Sequence, residues 1–215
     1  MRTALISDIH GHLHGLLSVL ADVEESRCDR VICLGDLVEG GSEDQEVVET
    51  LQRLEIQCVR GNHDHSNDLK LPEEIQNVLS ELPDTLVEDD ILYCHISPRE
   101  KLQRIRHTIE AWNVFDETSQ RLIFTGHQHV PMIFGEKSQN FGEATQHSFE
   151  HNQPFPLHPE DRYIICVGSA SYGRDHLGLL RYAIYDSKAQ TVEHRSVKGQ
   201  PLSKDYSVRF GSRSS

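Results

Sequence analysis

Short apolar runs alternate with amphipathic stretches along the first third of the chain. The runs 3–6 (TALI), 30–34 (RVICL) and 56–59 (IQCV) are too short for helices. Each stops at a Gly, Ser or Asp cluster, as strands do. Between them, residues 14–25 place Leu16, Leu17, Leu20 and Val23 at helical spacing. Residues 43–54 do the same with Val47, Val48, Leu51 and Leu54, with Ser42 as the expected N-cap and acids in the first turn. Strand–helix–strand alternation of this kind predicts βαβ units and a largely parallel sheet.

The second half is richer in strands. Residues 85–88 and 91–94 flank an Asp89-Asp90 turn and read as a hairpin, and strands are expected at 122–125, 132–134, 163–167, 180–185 and 191–196. A helix is expected around 100–114. Residues 135–162 are polar, with few branched apolar side chains, and predict a long loop or ragged hairpin whose His147, His151 and His158 lie at the surface. With no repeat and no linker, residues 1–200 read as one α/β domain and 201–215 as a flexible tail.

Composition narrows the function. Lysine plus arginine number 21 against 34 acids, a net charge of −13, which argues against holding a nucleic acid by general charge. No run of about 18 apolar residues predicts a membrane span. The opening MRTALISDIH does not read as a signal peptide, because Asp8 interrupts its short apolar stretch. Five cysteines without a CxxC pair point to a reduced, cytoplasmic protein. There are also 14 histidines, an unusual excess for an acidic chain.

Their positions carry the chemistry. Five turns each follow a predicted strand: Asp8-Ile9-His10, Gly35-Asp36, Gly61-Asn62-His63-Asp64, His95, and Gly126-His127-Gln128-His129. Successive separations are 28, 26, 33 and 32 residues, counted from Asp8 to Asp36, Asn62, His95 and His127. Each is about one βα unit of roughly 30 residues, so the turns are expected at one sheet edge, at the carboxyl ends of the strands. Imidazole and carboxylate without thiolate suit Mn, Fe, Zn or Co. Seven side chains (Asp8, His10, Asp36, Asn62, His95, His127, His129) exceed the needs of one tetrahedral ion. Two ions sharing one carboxylate would use them all, and Asp36, central in chain order, is the natural bridge. Such a pair polarises a phosphoryl oxygen, generates hydroxide from bound water at neutral pH, and attracts an anionic substrate despite the net charge.

These blocks resemble the calcineurin-like metallophosphoesterase superfamily, whose pattern is DxH, GDxx, GNH[DE], H and GHxH. ISDIHGHLHGLLSVL, VICLGDLVEG, CVRGNHD and GSASYGRD are similar to the small bacterial and archaeal branch related to diadenosine tetraphosphate hydrolases and phosphodiesterases. The resemblance covers roughly residues 3–197, apart from 135–162. It implies an α/β fold built as a four-layer αββα sandwich with two central mixed sheets. It further implies one metal on Asp8, His10, Asp36 and His129, a second on Asp36, Asn62, His95 and His127, and His63, oriented by Asp64, as general acid. Metal-bound hydroxide would attack phosphorus in line. The chain departs from the pattern at His12, at Ile96-Ser97-Pro98 after His95, at Cys166-Val167 before Gly168, and at Glu39-Gly40-Gly41, where protein phosphatases have Asp-Arg-Gly. None of these removes a ligand.

Around the site, Arg60 and Arg174 are candidates to hold substrate phosphate, and Ser169 to contribute a turn beside it. The resulting expectation is a dinuclear metal-dependent phosphohydrolase with manganese favoured. Its substrate would be a small soluble phosphoester: a nucleotide, a dinucleoside polyphosphate or a phosphodiester. A non-catalytic protein-binding scaffold on the same fold and a serine/threonine protein phosphatase stand as alternatives. The sequence leaves the oligomeric state open.

Overall fold

A computed structural model describes residues 1–65, 71–99, 103–176 and 178–200; the expected tail at 201–215 lies outside the described residues. In chain order the elements are β1 (Arg2–Ile6), α1 (Leu13–Glu25), β2 (Arg30–Cys33), α2 (Asp44–Arg53), β3 (Gln57–Cys58), α3 (Glu73–Glu81), β4 (Thr85–Glu88), β5 (Ile91–Cys94) and α4 (Thr108–Glu117). There follow β6 (Leu122–Thr125), β7 (Met132–Gly135), β8 (Thr145–His147), β9 (Pro154–Pro156), β10 (Tyr163–Cys166), β11 (Leu179–Asp186) and β12 (Thr191–Lys198).

The strands form two six-stranded mixed sheets, ordered β3-β2-β1-β11-β12-β9 and β4-β5-β6-β10-β7-β8. The βαβ expectation holds where the alternation was read, since β1, β2 and β3 are mutually parallel. The expectation of a largely parallel sheet is corrected beyond them: β11 pairs antiparallel with β1 and β12 antiparallel with β11, and in the second sheet only β5, β6 and β10 are parallel neighbours.

Strand β1 shows how the layers are stacked. Its side chains alternate: Ala4 and Ile6 pack with α1, α2 and α3, while Leu5 faces the other sheet. A strand covered on both faces needs no polar side, which is why TALI reads as a continuous apolar run. Between the sheets lie Ile32, Phe124, Ile165, Ala183 and Tyr185. On the far side Ile123, Phe134 and Ile164 pack against Ala111, Val114 and Phe115 of α4. The order is therefore helices, sheet, sheet, helix, the αββα sandwich.

Several local expectations change. The helix expected at 100–114 begins only at Thr108, because a capping box fixes its start. The Glu110 carboxylate accepts the backbone N–H of Arg106 and His107 (2.6 and 3.0 Å). Helix α3 was not expected, although Ile75, Val78 and Leu79 have helical spacing and pack into the core. The N-cap of α2 is Glu43 rather than Ser42. The polar 135–162 stretch is not a hairpin with itself. It gives an edge strand to each sheet, β8 beside β7 and β9 beside β12, and the two prolines of β9 suit an edge. His147 and His151 are half-buried rather than on the surface, while His158 is exposed. Among the described residues no helix is long and apolar enough to cross a membrane, and the five cysteines are free.

His194 on β12 is almost fully buried (1% exposed) and stacks on Phe149 at 4.3 Å. Its Nε2–H donates to the Cys166 carbonyl at 2.9 Å. Burial, with His151 and Arg181 nearby, pushes its pKa down to about 4 from 6.5. The folded state therefore prefers the neutral ring. Its contribution is complete above pH 6.5 and is lost as pH falls toward 4, about 2 kcal/mol between pH 7 and pH 5. His194→Gln keeps an N–H donor but does not titrate. Its melting temperature is expected to fall less steeply between pH 7 and pH 5 than that of the parent, and equal slopes would refute the assignment.

Candidate metal centre

The five turns leave the carboxyl ends of β1, β2 and β3 in one sheet and of β5 and β6 in the other. The single edge expected from the spacing is thus two edges, side by side. Backbone hydrogen bonds stitch them. Asp8 N–H donates to the Gly35 carbonyl (3.0 Å), Ile9 and His10 N–H to that of Asp36 (2.8 and 2.9 Å), and Gly126 N–H to that of His95 (2.9 Å). Across the sheets, His127 N–H donates to the Asp8 carboxylate at 2.9 Å.

The approach is close enough to exclude side chains. A Cβ on Gly61 would lie 2.1 Å from Asp36 N, and Gly35 (φ +92°) would meet Gly61 N at 2.6 Å. Asp8, His10, Asp36, His127 and His129 all sit at φ between 50° and 66°, the left-handed region. Each costs about 1 kcal/mol or more, and such strain persists only where the surroundings hold it.

The turns bring all seven expected ligands together. The donor atoms of Asp8, His10 and His129 lie within 4.8 Å of one another, as do those of His10, Asp36 and His63 and those of Asp36, His95 and His127. Asn62 joins them through Oδ1, 3.2 Å from His95 Nε2. Asp36 sits between the groups: its Oδ2 is 3.7 Å from His10 Nε2 and 3.1 Å from His95 Nε2. Asp8, His10, Asp36, His95 and His129 are buried, whereas Asn62 is exposed and His63 and His127 are half-buried, so the site opens on that side.

The imidazoles are aimed by what holds their other nitrogen. His95 Nδ1 donates to the Leu34 carbonyl (2.7 Å) and His129 Nδ1 to that of Tyr172 (3.2 Å), while His10 Nδ1 meets Glu39 Oε2 at 2.7 Å. Each leaves Nε2 toward the carboxylates, and the two facing nitrogens of His10 and His129 are 3.1 Å apart. Tethering one ring nitrogen to a carbonyl or carboxylate is how metal-binding histidines are oriented. The donor set thus fits two divalent cations.

Electrostatics agree. Burial alone would raise Asp8 and Asp36, but His129 and His10 beside Asp8, and His95 beside Asp36, hold both carboxyls below the usual range. Burial opposes charge on His95, yet Asp36 and Asp8 outweigh it and hold that imidazole up at about 9. Burial and the neighbouring His95 push His127 down to about 4. The carboxylates thus favour a cation at these nitrogens, and proton and metal compete for the same lone pair.

Asp64 does not orient His63. Its carboxylate is saturated by backbone N–H groups of Asp36 (2.9 Å), Leu37 (2.8 Å) and Gly61 (2.8 Å), which ties the Asp36 turn to the Asn62 turn. The partner of His63 is Glu39, whose Oε2 lies 2.7 Å from His63 Nδ1 and equally close to His10 Nδ1. Burial would raise Glu39, but the two imidazoles bring it down to about 2. Glu39 was passed over in the sequence as a mere departure from Asp-Arg-Gly. The available signal was an acid three residues after Asp36 in the same turn. Buried Asp44 fixes that turn by accepting the N–H groups of Gly40 (2.6 Å) and Gly41 (2.8 Å).

The expected substrate contacts divide. Ser169 is fully buried and donates to the Asp8 carbonyl at 2.9 Å, so it shapes the Asp8 turn and does not face a ligand. Arg174 is exposed on the His129 side, where its N–H donates to the His129 carbonyl. Arg60 lines a cavity beside Asn62 and His95.

A family model described as the calcineurin-like phosphoesterase superfamily domain matches residues 1–184. A metallophosphoesterase from Sphaerobacter thermophilus shares 30% identity over 93% of this chain and 90% of its own, with a TM-score of 0.82. An uncharacterized protein from Methanocaldococcus jannaschii is 26% identical over 224 positions, 88% of this chain and 84% of its own. A structure titled as a novel archaeal phosphodiesterase superposes with a TM-score of 0.52 over 91% of this chain and 99% of that one, and at 15% identity it speaks to the fold alone.

Proposed function

Because this chain belongs to the calcineurin-like phosphoesterase superfamily, we propose that it is a dinuclear metal-dependent phosphohydrolase acting on a small phosphorylated substrate. In this reading residues 1–200 work as one domain in the cytoplasm, and manganese is the favoured metal. The observation that carries the reading is Asp36, with one carboxylate oxygen between His10 Nε2 and His95 Nε2. Asp8 and His129 flank it on one side, His127 and Asn62 on the other. When bound, two such ions polarise a phosphoryl oxygen and make water a nucleophile at neutral pH.

The chain's own residues do the rest. Asp36 Oδ1 accepts the His63 N–H at 2.8 Å, which places His63 over the ligand cluster. Glu39 anchors its Nδ1, and its Nε2 has no partner among the described residues. A half-exposed imidazole held in this way can protonate the oxygen that leaves phosphorus. The nearly complete burial of Asp8, Asp36 and His95 keeps bulk water from screening the site.

The deciding assay is a panel of phosphomonoesters, phosphodiesters and dinucleoside polyphosphates with Mn²⁺. Turnover of at least one class, abolished by chelator, is expected, and none in any class would refute the reading. Metal binding has its own measure. Excess Mn²⁺ should raise the melting temperature, since ligand at a hundredfold above Kd stabilises by about 2.7 kcal/mol. An unchanged melting temperature would count against the site.

A further inference from the structure

Two of the candidate ligands, Asn62 and His95, also line a larger hollow. A cavity of about 380 Å³ opens beside Asn62 and His95 and is lined further by Arg60, His65, Asp84 and Arg99. That volume lies within the range of small-molecule sites. The chain carries −13 overall, yet this hollow is lined by two arginines, Arg60 and Arg99, each held in an ion pair, with Asp84 and Glu117 respectively.

Both arginines are held and neither is used up. Arg60 gives its Nε–H to Asp84 (3.1 Å) and one Nη1–H to the Ser80 carbonyl (3.3 Å). Arg99 gives Nε–H and one Nη2–H to Glu117 (2.8 and 2.6 Å) and one Nη1–H to Gln103. A guanidinium has five N–H donors. Three on Arg60 and two on Arg99 therefore have no partner among the described residues. The backbone aims Arg99: its N–H donates to Oγ of buried Ser97 at 3.2 Å, in the Ile96-Ser97-Pro98 turn directly after His95. Preorganised guanidinium forks match tetrahedral oxyanions and lose little entropy on binding them.

We propose that this cavity binds a second phosphate of the substrate, so that the substrate is an organic bisphosphate. One phosphate lies over the Asp36 cluster, and the other is held by Arg60 and Arg99. The proposal rests on the phosphohydrolase reading for the first phosphate, but the second contact is made by these arginines alone. The remaining guanidinium N–H donors of Arg60 and Arg99 are what would hold a second phosphate on a chain of net −13.

The test compares 3′-AMP with adenosine 3′,5′-bisphosphate, which differ by one phosphate. Their affinities for the Mn²⁺-supplemented protein are read from the dose dependence of thermal shift, beside turnover of p-nitrophenyl phosphate. The bisphosphate is expected to bind at least about tenfold more tightly, or roughly 1.4 kcal/mol. That ratio should fall below about threefold in Arg60→Met and in Arg99→Met. The two arginines sit in separate ion pairs, so a folding failure of one variant leaves the other to decide. Equal affinities in the parent, or a preference that survives both substitutions, would overturn the proposal even if p-nitrophenyl phosphate is turned over. A preference lost in both variants, in a protein that hydrolyses nothing, would sustain the anion site and refute the phosphohydrolase reading.

Discussion

Replacing Asp36 with asparagine is expected to lower metal-dependent hydrolysis of an aryl phosphate by at least about 10³-fold, some 4 kcal/mol of transition-state stabilisation. The substitution is nearly isosteric. Its Oδ1 can still accept the His63 N–H that Asp36 now accepts at 2.8 Å, so the turn should survive. What is lost is the anionic oxygen between His10 and His95. A neutral amide there supplies no charge and presents hydrogens to nitrogens that must stay unprotonated to bind metal. Calorimetric titration with Mn²⁺ should show fewer than the parent's equivalents bound, with the melting temperature of the metal-free variant close to that of the parent. Turnover within tenfold of the parent would mean that Asp36 does not bridge. His127→Ala is expected to act in the same direction, because His127 shares the group with Asp36 and His95.

The second large effect is expected at Glu39. Its Oε2 meets both His10 Nδ1 and His63 Nδ1 at 2.7 Å, so one carboxylate orients a candidate metal ligand and the candidate acid together. Glu39→Gln keeps the length but removes the charge, and it offers the two rings one oxygen that accepts more weakly. Outer partners of metal-bound histidines are worth about 10–100-fold, and a general acid about 10²–10⁴-fold. A fall in kcat of about 10²-fold with little change in KM is therefore expected. Glu39→Asp should recover less than the parent's rate but more than the glutamine variant. The reporter should be an aryl ester with a poor leaving group, since a good one needs no proton and would hide the loss of the acid. An equal loss for good and poor leaving groups would assign Glu39 to His10 alone.

Asp64 contrasts with Glu39 and shows where reading from the sequence reached its limit. Asp64 follows His63 in the chain, and the family resemblance implies that it orients that imidazole. In the fold its carboxylate is turned inward to four backbone N–H groups, those of Asp36, Leu37, Val38 and Gly61. Burial and the neighbouring Asp36 raise its pKa, the environment of a structural tie. Ser169, expected to contribute a turn beside the substrate, instead braces the Asp8 carbonyl from behind. Glu39, three residues beyond Asp36, does the work expected of Asp64 because the turn pinned by Asp44 brings it back over the cluster.

The sequence by itself determined the elements of the first third and the content of the cluster. A strand must end where Gly and Asp follow an apolar run, and roughly thirty residues separate successive returns to a sheet edge. Asp8, Asp36, Asn62, His95 and His127 were therefore bound to gather, whatever the details of packing. Tertiary structure alone decided that they gather across two sheets, not along one. The antiparallel placement of β11 beside β1, and the edge strands β8 and β9 drawn from the polar 135–162 stretch, depend on contacts between segments far apart in the chain. It also decided which nitrogen of each histidine faces inward and which acid serves His63. Those choices turn on hydrogen bonds a few ångströms long between side chains and distant backbone, and the spacing of residues along a chain does not encode them.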